Sequence, residues 1–398
     1  MNKNILNTDN QQFILNNFRT DISSLLLRKL VFKDVTLQEL TEQIEAKKRC
    51  QNKLNTWCNT PNIYYPNKLN IEQTSSETTA VYKANLVSGK SLIDLTGGYG
   101  VDCFYFSKKI KKISHCEINP SLSEIVNHNY KQLKCSNIKT IIGDGIEYLK
   151  NTTGTFDWIY IDPSRRSDSK GKVFLLSDCL PNITDHIEFL FTKSKNILIK
   201  TSPLLDITNG LKELGPVKEI HIVAVKNEVK ELLFLLEKNH SGNISIKTAN
   251  IHNDTVDTFS FIKTNSALAQ HGLPKKYLYE PNSAILKSGG FNEIALQHNL
   301  YKLHQHSHLY SNDVLIDFPG RSFEITEIIP YNKKELRKRF KKQQINVTTR
   351  NFPKSVAEIR QELQIKDGGT EYLFFTTNIK NKKIAILCFK KQSMISKY

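Results

Sequence analysis

The chain has 398 residues, 39% hydrophobic and 24% charged, with a formal net charge of +17. It is long enough for two or three domains around a substantial core, and no run of eighteen apolar residues suggests a membrane span. Seven cysteines, odd in number and never spaced Cys-x-x-Cys, argue against a disulfide framework or a zinc ribbon and for a reducing compartment. The N-terminus lacks a basic segment followed by an apolar one, so the expected location is the cytoplasm.

Residues 1–72 carry helical periodicity, in FILNNFRTDISSLLLRKL and VTLQELTEQIEAKKRCQNKL, with Thr36 as an expected N-cap. NTPNIYYPNKLN follows, broken by Pro61 and Pro66, and reads as a linker. Ser75-Ser76-Glu77 has the look of a cap before the helix TTAVYKANLV.

From Ser91 short apolar runs alternate with helical segments. SLIDL, KISHCEI, IKTIIGD, DWIYIDP and NILIKTSP read as strands, and the segments between them as helices. This alternation predicts a mainly parallel sheet covered on both faces. EIHIVAV and KNEVKELLFLLEK follow with no room for a crossover helix, so these two strands must be antiparallel. A further region runs from 271 to 320. After it come a basic helix KKELRKRFKK, a strand INVTTRNFP, a helix SVAEIRQELQI stopped by KDGG, and a hairpin EYLFFTTNIKNKKIAILCF.

The charge is concentrated. Tyr331 to Tyr398 holds seventeen Lys and Arg against five Asp and Glu, so +12 of the total sits in the last 68 residues. That is an electrostatic footprint for a polyanion, most often nucleic acid.

LIDLTGGYGVD (Leu92 to Asp102) is a strand, a glycine turn and a helix start. Gly97, Gly98 and Gly100 let backbone approach a ligand, but the third glycine of a nicotinamide fingerprint is missing. An acid at the strand end, Asp94, would repel a pyrophosphate and suits a cofactor carrying an ammonium group and a positive sulfur. Glu117, 23 residues on, ends the next strand and can accept the hydroxyls of a ribose. Asp144 ends the third strand and can accept from an adenine amine; as isolated residues, Glu117 and Asp144 would read equally well as helix caps. Three acids at successive strand ends share the carboxyl edge of the sheet, where open α/β sheets bind ligands. WIYIDPSRR (Trp158 to Arg166) ends the fourth strand at that same edge.

The motifs DLTGGYG, Glu117, Gly143-Asp144 and Asp162-Pro163 resemble those of class I S-adenosylmethionine-dependent methyltransferases. With SSETTAVYKA, IDPSRR, NEVKELL and TRNFPKSVAEIRQELQIKDGG, the chain is similar over nearly its whole length to bacterial methyltransferases with a C-terminal THUMP-like domain. The resemblance implies a Rossmann-like methyltransferase core at 73–270 with an antiparallel final hairpin, a small ferredoxin-like domain at 271–320 and a THUMP-like α+β module at 321–398. It implies that Asp94 and Gly98 hold the methionine end, Glu117 the ribose and Asp144 the adenine, with Thr96, Gly97, Gly100, Ile118, Gly145 and Asp162 lining the cofactor. The implied activity is methylation of RNA, rRNA or tRNA, at a base, in the cytoplasm and without a metal.

The fourth-strand motif departs from the Asp-Pro-Pro-aromatic form of amino-group methyltransferases, in which a ring stacks on the target base. Here Ser164 and Arg165 follow Asp162-Pro163, and an arginine plane can stack on a base or hold a phosphate. Asp162, Pro163, Ser164 and Arg165 are therefore the expected catalytic lip, with Arg165, Arg166, Asn227, Glu228, Arg337, Lys338 and Arg339 meeting substrate. Thr201 and Ser202 share the sheet edge; Asn227-Glu228 is equally readable as a polar turn. A 5-methyluridine mechanism would need a cysteine nucleophile near the end of the next strand, where the chain reads IKTSP, and Cys179 lies before it. LHQHSHLY places His304, His306 and His308 on one face of a possible strand, without carboxylate or cysteine at ligand spacing. The rival functions are methylation of DNA, protein or a small molecule, and a decayed core that only binds RNA.

Overall fold

The computed structural model describes residues 1–28, 30–165, 175–253, 255–264 and 266–391. They fall into two compact units: 1–220 with 230–242, and 221–229 with 243–398.

The first unit is built on seven strands: β1 Gly89–Asp94, β2 Ile110–Glu117, β3 Ile138–Ile142, β4 Phe156–Ile161, β5 Ser194–Thr201, β6 Val217–Val225 and β7 Glu228–Glu237. His221–Val229, which is most of β6, the turn and the first two residues of β7, belongs to the second unit. Their order is β3-β2-β1-β4-β5-β7-β6. Strands β1 to β5 pair in parallel and β7 runs antiparallel to β5. The centre is apolar on both faces, as a sheet covered on both sides requires: Leu92, Ile93, Ile159, Ile161, Ile197, Leu198 and Ile199 have essentially no exposed surface. The expected antiparallel close of a parallel sheet is present.

The N-terminal helices share a core of Ile5, Ile14, Leu25, Val35, Leu40 and Ile44. Thr36 caps the helix Leu37–Cys50 through a reciprocal box with Glu39. The segment expected to be a linker is instead packed. Ile63 and Tyr65 are buried, and the Gln43 side-chain amide both donates to the Tyr65 carbonyl and accepts from its N–H. Asn129 makes the same paired bridge to the backbone of Tyr64. Pro61 and Pro66 broke the helical pattern, but the apolar residues between them still found a core.

In the second unit β8 Ser245–Ile251 and β9 Val256–Ile262 form a hairpin. A separate seven-stranded sheet runs β11-β12-β10-β13-β16-β15-β14, from β10 Tyr277–Pro281, β11 Tyr301–Lys302, β12 Tyr310–Asn312, β13 Gly320–Pro330, β14 Asn346–Arg350, β15 Glu371–Thr377 and β16 Lys383–Lys391. The 277–319 and 320–391 segments share this sheet, because β13 pairs with β10 on one side and β16 on the other. Side chains alternate between faces. Leu373 and Phe375 meet Leu336, Phe340, Ile359 and Leu363 from the two helices, while Phe374, Ile384 and Ile386 meet Leu278, Leu303 and Phe323 opposite. The helix Val356–Leu363 ends not at the glycines but at Gln364, which takes the left-handed conformation. Gly369 is needed for a close approach instead, since a Cβ there would lie 2.3 Å from the Gln344 carbonyl oxygen. His304 and His306 lie in a turn, not on a strand. His308, with φ 51°, stacks on Phe291 at 3.6 Å between centroids. Burial there pushes its imidazole down to about 4. Among the described residues no group of three or more His, Cys, Asp or Glu side chains is placed to hold a metal, and no helix is long and apolar enough to cross a membrane.

Candidate active site

Register brings the expected residues to one edge. Asp94 pairs with Tyr160 and His115, Glu117 with Ile142, and Ile161 with Ile199, so strands β1 to β5 end side by side. The turn after β1 is fixed by hydrogen bonds. Asp94 accepts from the Thr96 N–H at 2.9 Å and its hydroxyl at 3.1 Å, and from the Cys103 thiol at 3.3 Å. The Thr96 hydroxyl in turn accepts the Asp162 N–H at 2.7 Å, tying the end of β4 to the end of β1.

The glycines are there for shape. Gly100, with φ 78°, caps the helix Val101–Phe106, and a Cβ on it would meet the Tyr130 hydroxyl at 2.2 Å. Gly97 lies against the backbone of β2, where a Cβ would come within 2.6 Å of the Cys116 carbonyl oxygen. Gly98 donates its N–H to Glu117 at 2.8 Å, while the other oxygen of Glu117 accepts from Asn119 at 2.7 Å. Asn119, not Glu117, caps the next helix. Asp144 does cap a helix, accepting from the Glu147 N–H at 3.0 Å, and remains exposed toward solvent with Ile118 beside the edge of β2. Gly145 opens that helix directly beneath the Leu95 backbone.

Asp94 is the residue whose state is most perturbed. It is 2% exposed, and burial pushes its carboxyl up to about 7 despite the hydrogen bonds from Thr96 and Cys103 that favour the anion. Among the described residues no basic side chain bonds to it. A buried carboxyl in that condition fits a ligand bringing a cation, as the ammonium of S-adenosylmethionine would.

Behind this edge lies an ionic cluster that the sequence expectations missed. Lys83, fully buried on the helix Glu77–Ala84, donates to both oxygens of Glu231 at 2.9 and 2.8 Å and to the Ser75 hydroxyl at 3.1 Å, and stands 3.2 Å from Asp102. Asp102 accepts from Ser75 at 2.9 Å and from the Tyr160 hydroxyl at 2.7 Å. Burial opposes its ionisation, but Lys83 and Lys200 outweigh that and hold the carboxyl low. Lys200, second to last in β5, forms an ion pair with Asp162. Burial disfavours its ammonium, yet Asp162, Asp102 and Glu231 together hold it well above the usual lysine range. Ser75 is thus wired into the cluster; Ser76 caps its helix, and Glu77 binds Thr56 of the N-terminal region.

The remaining expected residues are distributed differently. Ser164 is exposed and Ser164–Arg165 pairs with Cys179–Leu180 in a two-residue ribbon, which puts Cys179 in a buried position. Arg166 lies outside the described residues. Thr201 is buried and Ser202 accepts from Leu204, a local turn. Asn227 and Glu228 belong to the second unit. There Asn227, with φ 64°, accepts from the Ser283 N–H and donates its own N–H to Asn250, which is turn chemistry. On the basic helix Lys333–Phe340, Arg337 and Lys338 are exposed, but Arg339 is committed to Glu327 and the Phe340 ring. A recess of about 460 Å³ lined by Glu39, Glu42, Arg49 and Tyr64 contains none of the expected catalytic, cofactor or substrate residues.

Strand order, the antiparallel close and the acids along the carboxyl edge define a class I methyltransferase fold. Residues 277–319 match the model of a ferredoxin-like domain, and residues 320–390 that of a THUMP domain-like family. The crystal structure of a candidate methyltransferase from Porphyromonas gingivalis W83 is 32% identical, with a TM-score of 0.89, over 98% of this chain and 99% of that one. An uncharacterized RNA methyltransferase of Mycoplasma mobile is 29% identical over 135 residues, 33% of this chain and 37% of that protein, so the match spans about a third of that relative's length. A weaker structural likeness, 17% identical with a TM-score of 0.33, covers 41% of this chain and 68% of M. capricolum TrmK in complex with S-adenosylhomocysteine. The chain belongs to the family of the Porphyromonas protein: methyltransferases whose class I domain is followed by ferredoxin-like and THUMP-like domains.

The cluster makes a stability prediction. Lys83→Met leaves Glu231 and Asp102 buried beside a neutral chain and is expected to cost about 3–5 kcal/mol. The double variant Lys83→Met/Glu231→Met is expected to be more stable than Lys83→Met alone. Urea unfolding of the three proteins measures both; an exposed or dispensable lysine would give a loss below about 1 kcal/mol.

Proposed function

We propose that this protein transfers a methyl group from S-adenosylmethionine to RNA, rRNA or tRNA being the class in view. The observation that carries the donor half is Asp94: a buried carboxyl pushed up to about 7 at the glycine turn, with Glu117 ending β2 and Asp144 just past the end of β3. In this reading Asp94 takes the donor's ammonium, and the turn Thr96-Gly97-Gly98 with Gly100 gives it a close wall. Glu117, with Ile118 beside it, faces the ribose, and Asp144 and Gly145 the adenine. The donor supplies an activated methyl on a positive sulfur. Asp162 and Pro163 are the lip at which the acceptor sits, with Ser164 and Arg165 following.

The acceptor half rests on the concentrated positive charge of the THUMP-like region and on the Mycoplasma relative's description as an RNA methyltransferase. Arg337 and Lys338, exposed on the helix Lys333–Phe340, are the docking residues; Arg339 serves the fold through Glu327.

Two measurements test these halves. If Asp94 must be ionised to receive an ammonium, then below about pH 7 binding has to expel a proton, and above it that cost vanishes. Calorimetry with S-adenosylhomocysteine is therefore expected to show affinity rising from pH 6 to pH 8, by at most about tenfold per unit. Asp94→Asn is expected to bind weakly with a flat profile. No binding at any pH sinks the donor half.

For RNA, Arg337→Gln/Lys338→Gln is expected to weaken binding and flatten log K against log salt by about 1.4 to 1.8, two phosphate contacts' worth. Arg339→Gln tests the fold instead, through melting temperature. Truncation at Gly320 is unsuitable for either purpose, because it removes β13, the partner of β10. An unchanged salt slope in the double variant would exclude this helix from docking.

A further inference from the structure

The acceptor atom can be argued from Lys200. In the amino-group form of the motif, an acid in the place of Asp162 accepts hydrogen bonds from an amine on a base. In the structure it is already engaged by an ammonium: Lys200 donates to Asp162 at the end of β4, with the lysine side chain 13% and the carboxylate 34% exposed. These two are the open end of the ionic cluster. Behind them Lys83 and Glu231 are sealed from solvent and Asp102 is largely buried, and the Asp102 and Glu231 carboxylates add to the field that keeps Lys200 charged.

Charge decides which nucleophile this arrangement suits. A neutral amine becomes positive as it takes a methyl group, and a fixed ammonium beside it raises that barrier. A hydroxyl is a poor nucleophile until its proton leaves, and the oxygen then carries negative charge, which the same ammonium stabilises. The cluster counts three carboxylates (Asp102, Asp162, Glu231) against two ammoniums (Lys83, Lys200), so one carboxylate is in excess to receive a proton. The exposed member is Asp162. Arg165 stands in the fourth place of the motif, where the Asp-Pro-Pro-aromatic form has its base-stacking ring, so no aromatic ring is offered there. RNA presents one hydroxyl at every internal nucleotide, the ribose 2′-OH, and recognising it needs no base to be stacked.

We propose that the acceptor is a ribose 2′-hydroxyl of RNA, with Lys200 and Asp162 as the catalytic pair and Lys83 and Glu231 as positioning residues. The acceptor oxygen forms its bond to the methyl carbon as the carbon–sulfur bond breaks, with that bond's electron pair left on sulfur. The hydroxyl proton passes to the Asp162 carboxylate and then to solvent, while the Lys200 ammonium holds the oxygen throughout. Lys83, by pairing with Glu231 and Asp102, prevents either buried carboxylate from drawing Lys200 back from the edge.

The proposal rests on the reading of the protein as an RNA methyltransferase, and one experiment separates the two. RNA from a strain lacking the gene is incubated with purified full-length protein and deuterated-methyl S-adenosylmethionine. It is then digested to nucleosides for mass spectrometry, with a parallel alkaline digest. The expected result is label on ribose, in a 2′-O-methyl nucleoside that survives alkali as a dinucleotide. Label on a base overturns the oxygen assignment and leaves the RNA methyltransferase reading intact; no label in RNA overturns both. Lys200→Met is expected to lose about 100-fold or more in transfer rate while S-adenosylhomocysteine affinity stays within about threefold. A rate within a few-fold of the unaltered protein overturns the role of Lys200. Should Lys200→Met not fold, the product analysis with unaltered protein still decides the acceptor.

Discussion

The arrangement depends on a buried lysine. Lys83 has no solvent contact and meets Glu231 and Asp102, residues that approach it from β7 and from the helix after the glycine turn. Removing one charge from water costs several kcal/mol, and the cost is offset only when every partner is in place. The cluster therefore acts as a specification. The helix before β1, the helix after the glycine turn, β4 through Tyr160 and β7 through Glu231 must all arrive together, or a charge is stranded. Thr96 extends the same logic to the edge, since one hydroxyl serves both Asp94 and the backbone of Asp162.

Much of this fold was legible because it is periodic. The strands of the first unit are apolar runs bounded by glycine, proline and acids, and the tight spacing of β6 and β7 required them to be antiparallel. The acids at the strand ends were legible for a related reason: a residue closing a parallel strand lies on the ligand edge whatever the details of packing. Lys83 and Lys200 were not, because their meaning lies in partners far away in sequence. Lys83 and Glu231 are 148 positions apart, and Lys200 and Asp162 are 38 apart. A signal did exist in NILIKTSP, where a lysine interrupts an otherwise buried strand, and such a residue needs a counter-charge. Asp144 shows the converse. It lies at the expected edge, yet what its side chain does in the protein alone is cap a helix.

The second unit was harder to read for a different physical reason. Left-handed residues such as His308 and Asn381 set some of its turns without any glycine to announce them. The three histidines alternate in sequence like a strand, yet His304 and His306 lie in a turn and His308 just beyond it. The basic helix was easier, because its apolar residues Leu336 and Phe340 share a face and leave the cations outward. What composition could not distinguish was a cation spent on the fold, such as Arg339 on Glu327, from one left for a ligand.

The central claim is that a methyl group passes across this sheet edge to RNA. It is tested most directly by supplying tritiated-methyl S-adenosylmethionine to the purified protein with total RNA, DNA and protein, each prepared from a strain lacking the gene. The account predicts label in RNA above background, absent from DNA and protein and lost with Asp94→Asn. Label in DNA or protein alone, or in none of the three, would contradict it.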